Sequence, residues 1–527
     1  MKEQTSLHTD QPIWNTLYPA IREFFHHNYL DVVMDAKKIR GYRSPDARSI
    51  WIRDHSDMMR CTKYFETDLT SCIDHFAETQ AQNGRIFDYY TVFPEKLPSE
   101  RENWAKYVRV PVEADVEYRF IKAAYLAWQA TGDDKWLAGM LPSLEKALRY
   151  ILTHPWRWDN RHGLVKRPYT IDTWDFAYSA GQHEWLQMQI DENTFWGIMH
   201  GDNSGYYEAM MILSQVYAYF GKRKKAAEWL DLAKKMRRRM NRVCWNGRFY
   251  THFVKLTPVT IPGVDEAEQL SLSNPMDINR GVTDHAQAVS ILREYQSRKK
   301  KTNAFAEWFS IDPPFPDGCF GDELLVKGAY CNGGIMPLVG GELARAALEH
   351  GYESYGVAIL RQYAEMIARD KATYLWYFPD GRNSTAESST SPEALPTDGW
   401  GSGAMAYALI EGLAGVVDRQ KSFRKITLSP RWPSAGVAEA RIHLHYPASD
   451  ACFGYDYLLT DSQLLLQVDA HGSDIQFHIQ LPEGKRVHQV LCRDRQVPFR
   501  RSKVEATPYV DFSSHMKSPG GVKIVFK

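Results

Sequence analysis

Two adjacent segments constrain the fold more than anything else in this 527-residue chain: "SGYYEAMMILSQVYAYFG" (204–221) and "RKKAAEWLDLAKKMRRRMNRV" (223–243). Both carry apolar residues at i, i+3, i+4 spacing and so predict α-helices. The first is apolar nearly all round. The second has one narrow stripe through Trp229, Leu232, Met236 and Met240 and is otherwise charged. An all-round apolar helix belongs inside and a one-stripe helix outside, and their short connection predicts an antiparallel hairpin. The basic run "KKMRRRM" (234–240) then reads as a solvated outer face.

The alternation recurs in "GGIMPLVGGELARAALEHG" (333–351), "YESYGVAILRQYAEMIARD" (352–370) and "GWGSGAMAYALIEGLAGVVD" (399–418). Further helical periodicity covers 56–80, 112–132, 142–154 and 281–297, with a weaker run near 13–27. Ten or eleven helices are close to the twelve of an (α/α)6 barrel, in which six inner helices surround a funnel and loops at one end carry the site. No short repeat is visible, which disfavours a strict solenoid. After "SFRKITLSPRWPSAG" (422–436) the pattern turns to period two in "ARIHLHYPA", "FGYDYLLTD", "SQLLLQVDA" and "GGVKIVFK". The expectation is an (α/α)6 barrel catalytic domain over 1–425 and a small antiparallel β-sandwich over 426–527, the latter packing against the barrel.

Lys+Arg and Asp+Glu both number 64, so nothing points to nucleic acid or a membrane surface. Seven cysteines, widely spaced and without a CxxC pair, fit a reducing compartment better than a disulfide framework or zinc site. The first 25 residues lack an uninterrupted apolar run, and no later run reaches the ~20 residues of a membrane span. A cytoplasmic location is expected. Aromatic residues make up 13% of the chain, compatible with rings that stack on sugar faces.

Five segments between helices concentrate acids, indoles and amides. "SIWIRDHSDMMR" (49–60) offers Trp51, Arg53, Asp54 and Asp57 as a sugar-hydroxyl clamp or as helix-capping groups. "RPYTIDTWDFAYS" (167–179) displays Asp172 and Asp175 around Trp174. An indole beside a carboxyl raises its pKa, as a general acid requires. "GDNSGYYEAM" (201–210) places Asp202 and Asn203 at the start of an inner helix. "GAYCNGGIMPLVGG" (328–341) offers the amide of Asn332. "YLWYFPDGRNSTAESSTSPEALPTDGWGSGAM" (374–405) is a long polar loop carrying Trp376, Glu387, Glu393, Asp398 and Trp400, and loops of this length in compact domains are commonly functional.

The order and character of these segments resemble the inverting (α/α)6-barrel glycosidases, especially trehalases (glycoside hydrolase family 37) and the family 63 glucosidase group. "TWDFAYS" is similar to the "GWDFSSRW"-type segment that carries the general acid in trehalases, which implies that role for Asp175. "AYCNGGIMP" keeps Asn332, Gly333 and Pro337 of a second trehalase segment. "NSTAESSTSPEALPTDGWGSG" resembles the segment that carries the base, which implies that role for Glu387 and puts Trp400 in a Gly-Trp turn. The β region after "LAGVVDRQKSFRKITLSPRWP" looks like that of α-L-rhamnosidases (family 78).

The resemblance implies an inverting hydrolase of a terminal glycosidic bond in an oligosaccharide, with acid and base carboxyls ~6.5–9.5 Å apart and no metal or cofactor. Three alternatives stay open: an α-L-rhamnosidase-like glycosidase, a sugar epimerase on the same barrel using His200 and His285, and a non-catalytic sugar-binding scaffold. Which of Asp172 and Asp175 is the acid, and which of Glu387, Glu393 and Asp398 is the base, is not decided by the sequence; nor is the oligomeric state.

Overall fold

The computed structural model describes residues 4–34, 36–44, 49–91, 107–390 and 394–527. Twelve α-helices precede residue 408 among them: α1 (Pro12–Asn28), α2 (Ile52–Thr62), α3 (Ser71–Glu78), α4 (Val116–Thr131), α5 (Asp134–Thr153), α6 (His200–Tyr219), α7 (Arg223–Cys244), α8 (Ser273–Arg280), α9 (His285–Thr302), α10 (Pro337–Glu349), α11 (Glu353–Asp370) and α12 (Gly399–Tyr407). The even-numbered helices form a closed ring. Each touches the next, from α2 through α4, α6, α8 and α10 to α12, and α12 returns to α2. The odd-numbered helices lie outside: α7 against α6, α9 against α8 and α10, α11 against α10 and α1.

Local chemistry explains where the boundaries fall. The period expected to run from 56 to 80 breaks after α2 because the carboxylates of Glu66 and Asp68 accept hydrogen bonds from the backbone N–H groups of residues 67, 68, 70 and 71, offering the chain a turn in place of the helix. α5 starts earlier than its apolar period suggested, at Asp133, whose carboxylate caps the N–H of Trp136 at 2.9 Å. α8 has only eight residues, with Pro275 in its first turn. Glycine permits the closest approach in the ring: a Cβ on Gly341 of α10 would lie 2.3 Å from the carbonyl carbon of Ala404 in α12, so these two helices pack backbone to backbone.

The β region consists of a seven-stranded and a five-stranded sheet. Alternate residues of both, such as Ile442, Leu444, Leu466 and Ile524 in one and Ile475, Phe477 and Val510 in the other, are buried in a continuous core. The N-terminal strand Ser6–Thr9 pairs antiparallel with Glu439–Tyr446, and Val416–Asp418 begins the smaller sheet. The sheets therefore draw strands from before residue 426 as well as after it. Polar contacts join them to the ring: the Tyr455 hydroxyl donates to the Ala414 carbonyl at 2.7 Å, and the Ser449 hydroxyl to the Ala130 carbonyl at 2.6 Å.

No helix among the described residues is long and apolar enough to cross a membrane, and none of the seven cysteines is in a disulfide.

Candidate active site

Because the inner helices alternate with outer ones, all six begin at the same end of the ring. Arg53 in the first turn of α2 reaches Asp115, the residue before α4. Arg167 joins Glu113, just before α4, to Asp202 in the first turn of α6. Gly201 of α6 abuts Ser273 of α8, and Gly401 of α12 abuts Pro337 of α10. Six positive helix ends thus converge, which favours the carboxylates gathered there.

The centre of this arrangement is Arg53. Its fork donates to both oxygens of Asp115 at 2.7 and 2.8 Å and reaches Glu113 at 2.5 Å. Asp88, Glu113, Asp115 and Asp202 are almost wholly buried, and the guanidiniums reach them unequally. Burial and this unequal pairing push their proton affinities apart. Burial would raise Asp115, but Arg53 and Arg119 hold it well below the usual carboxylate range. Burial pushes Asp88 up to about 7 and Asp202 up to about 6 against the pull of nearby arginines, and raises Glu113 as well.

Asp175 sits at the open edge of this cluster, only partly covered. Burial raises its pKa, while Arg53 and Arg167 pull the other way. Among the described residues no other side chain donates a hydrogen bond to it. Arg167 holds the loop by donating to the Trp174 carbonyl at 2.5 Å. Trp174 faces Tyr330 at 5.1 Å and Trp400 at 6.3 Å between ring centroids. On the other side Ala177 packs in a small apolar cluster with Trp51 and Tyr89, whose rings lie 4.0 Å apart. Asp54 is buried beside Arg53 and is raised to about 6, chiefly by burial.

Other expected site residues have internal roles. Asp172, at φ +45°, accepts from the Ser273 hydroxyl at 2.6 Å and tethers its loop to the start of α8. Its backbone N–H donates to His252. This fully buried carboxylate is a loop anchor. Asn203 exchanges hydrogen bonds with both backbone groups of Val165 and donates to the Met199 carbonyl. Asn332 spends its amide on Phe315 and the Leu325 carbonyl. Neither amide is left for a sugar. Trp376 is wholly buried against Phe378. Asp57 accepts from Arg119 at 2.5 Å and from the Trp400 indole at 2.9 Å, deeper in the ring; the arginines hold its pKa down against burial.

In the last segment, Asp398 is the N-cap of α12, accepting from the N–H groups of Trp400 and Gly401 at 3.0 and 2.8 Å. Burial raises it to about 7. Glu387 is exposed, and hydrogen bonds from its own backbone N–H and from Thr385 lower its pKa. Glu393 lies outside the described residues. The histidines of the epimerase reading are engaged elsewhere: His200 is fully buried between Asp277 at 2.6 Å and Ser271 at 2.9 Å, and His285 meets His350 and Glu505 near the β region. No group of three or more potential metal ligands is found among the described residues.

Glu113, Asp115 and Arg167 were not singled out from sequence. The signal was present in "VPVEADVEYRF" (110–120), where three acids at alternate positions enter an apolar helix.

No protein-family model matches the chain, and no curated protein matches its sequence. Solved structures do match its fold. An α-L-rhamnosidase from Dictyoglumus thermophilum superimposes with TM-score 0.63 and 13% identity over 99% of this chain and 50% of its own. The α-L-rhamnosidase of Streptomyces avermitilis, complexed with L-rhamnose, gives 0.61 and 14% over 100% and 42%. A GH63 mannosylglycerate hydrolase from Thermus thermophilus, in complex with glucose, gives 0.50 and 12% over 74% and 99%. The chain spans about half the length of the rhamnosidases it matches. At these identities the likeness is one of fold, and that fold is shared with glycoside hydrolases of both the rhamnosidase and the family 63 kind.

Proposed function

We propose that the chain is a glycoside hydrolase that cleaves a terminal glycosidic bond of an oligosaccharide with inversion, using Asp175 as general acid. The observation that carries this reading is Asp175 itself: a partly open carboxyl with a raised pKa, between indoles, where six helix N-termini converge. A carboxyl held protonated near neutral pH can donate to the leaving glycosidic oxygen. Arg53, locked by Asp115 and Glu113, keeps the Asp175 pKa from rising too far for turnover. Trp174, Trp51 and Trp400 supply the apolar surface against which a sugar ring would be held.

The water-activating carboxylate we assign to Glu387, on the segment leading into α12. Its lowered pKa keeps it ionised, as a base requires, and an inverting pair leaves room for one water between the carboxyls. We read the ring of helices as an (α/α)6 barrel and the paired sheets as a β-sandwich, divided near residue 425. The shared fold of the rhamnosidases and of the family 63 hydrolase supports the reaction class. Cysteines that form no disulfide support a cytoplasmic location, where short imported oligosaccharides would be the substrates.

Proton NMR of fresh digests of a disaccharide and aryl-glycoside panel, with an aryl α-L-rhamnoside included, tests the proposal. Release of the inverted anomer, lost in Asp175→Asn, is expected. Release of the retained anomer would remove the water-activating role of Glu387, and no hydrolysis of any member by wild type would count against the reaction class.

A further inference from the structure

The five-stranded sheet carries a groove of about 810 Å³ on its outer face, away from the helix N-termini. That volume lies in the range of ligand sites, and the β region has no part in the proposed chemistry. Strand register explains the floor. Thr427, Gln476 and Ser513 stand in one row across three neighbouring strands, all with side chains on the outward face because Ile426, Ile475 and Phe512 point to the core. Among the described residues the Gln476 amide and the Ser513 hydroxyl make no side-chain hydrogen bond, so the row presents free donors and acceptors. Phe499, half-buried, forms part of the wall.

Charge is unevenly distributed along the groove. Asp511 is matched by His478 at 2.6 Å and Arg500 at 3.1 Å, and Asp474 by His515 at 2.7 Å. At the end nearest the helices, Arg419 has no carboxylate within ion-pair distance among the described residues, and Lys425 stands beside Asp474, its partner in the strand register, without closing an ion pair with it. Arg419 is nevertheless held in place. Its Nε donates to the Thr427 hydroxyl at 3.1 Å, and its carbonyl accepts from Gln215 of α6 at 2.6 Å.

From this juxtaposition of a free neutral polar row, an aromatic wall and two unpaired cations, we propose that the groove binds an acidic oligosaccharide, its hydroxyls on Thr427, Gln476 and Ser513 and a uronate carboxylate on Arg419 and Lys425. A sugar chain offers the alternating hydroxyls and flat C–H faces that such a lining pairs with. A nucleic acid, with a charge at every phosphate, would need a longer run of cations than Arg419, Lys425 and Arg500 provide. The inference does not depend on hydrolysis at the helical end, since the groove shares no residue with it.

Isothermal titration of the full chain carrying Asp175→Asn with trigalacturonic acid tests it without turnover. Saturable one-to-one binding with a dissociation constant below about 1 mM is expected. It should weaken at least tenfold in Arg419→Gln/Lys425→Gln, in Phe499→Ala and in Gln476→Ala/Ser513→Ala, and equally with the fully methyl-esterified trisaccharide. These positions are on the surface, and unchanged melting of each variant checks the fold. Absence of binding would overturn the proposal, as would binding that survives the double charge variant or an ester that binds as well as the acid. Loss in the charge variant alone, with Phe499→Ala and Gln476→Ala/Ser513→Ala unaffected, would reduce the groove to a charged patch and also overturn it.

Discussion

At the end of the ring where helix N-termini converge, Asp88, Glu113, Asp115, Asp175 and Asp202 gather around Arg53, Arg109, Arg119 and Arg167, and the pKa of all but Asp115 is raised, chiefly by burial. Deeper in the same ring, Asp57, Glu208 and Glu342 face Arg60, Arg119, Lys122 and Arg280 around a space of only about 30 Å³. There the carboxylates Asp57 and Glu208 titrate low in spite of burial. At both, burial favours the protonated form. In the deep cluster four cations face three carboxylates and hold Asp57 and Glu208 down against it. At the helix N-termini burial outweighs the pull of the guanidiniums on all but Asp115. The deep cavity has room for about one water, whereas Asp175 is only partly covered.

The largest expected effect is on catalysis. Asp175→Asn keeps the loop's shape and removes the proton donor, and should lower kcat about 10²–10⁴-fold with an unchanged melting temperature in the same sample. Equal activity would make the raised pKa incidental. Breaking the deep end should act on stability instead. Arg60→Met leaves Glu342, which Arg60 contacts directly, buried without its cation and should cost about 3–5 kcal/mol in denaturant unfolding. Activity per folded molecule should hold, and a catalytic loss equal to that of Asp175→Asn would dissolve the distinction between the ends.

A smaller effect sharpens the comparison through pH. Asp398, raised to about 7 by burial, is protonated in the folded state at acidities where the unfolded chain has already lost the proton. Its contribution to stability is complete below about pH 4 and lost as pH rises through about 7. Asn at this position keeps an oxygen for one of the N–H groups of Trp400 and Gly401, which bond separate oxygens of Asp398, and does not titrate. The stability of Asp398→Asn relative to wild type should therefore improve between pH 5 and pH 8, by on the order of 1 kcal/mol or more, as read from melting curves across pH. A constant or falling difference would show that Asp398 is ionised throughout.

How much of this was legible in the sequence follows from the range of the interactions. The inner and outer character of α6 and α7 is written in the periodicity of each helix, so it could be read locally. Asp175 stood out because its neighbours Trp174 and Phe176 mark a carboxyl in apolar surroundings. The partners of Arg53, Asp115 and Glu113, lie some sixty residues away in sequence, and no local pattern pairs them. Asn203 and Asn332 looked like sugar ligands because an amide's target depends on which backbone passes it, 38 residues away in the first case and 17 in the second. The strand Ser6–Thr9 was missed for the same reason, since its partner strand is at Glu439–Tyr446. α8 escaped because eight residues containing a proline show too little of a helical period.

The most direct test of the central claim, that the guanidiniums at the helix N-termini tune the acid against burial, is the pH dependence of kcat/KM for a cleaved aryl glycoside in wild type, Arg53→Gln and Arg60→Met. Arg53 is the first of the charges that pull the Asp175 pKa down against burial, so removing it should move the alkaline limb of the profile to higher pH. Removing Arg60 from the deep end should leave that limb in place, with both variants first shown to melt cooperatively. An alkaline limb that ignores Arg53, or one that follows Arg60 as closely, would contradict the account.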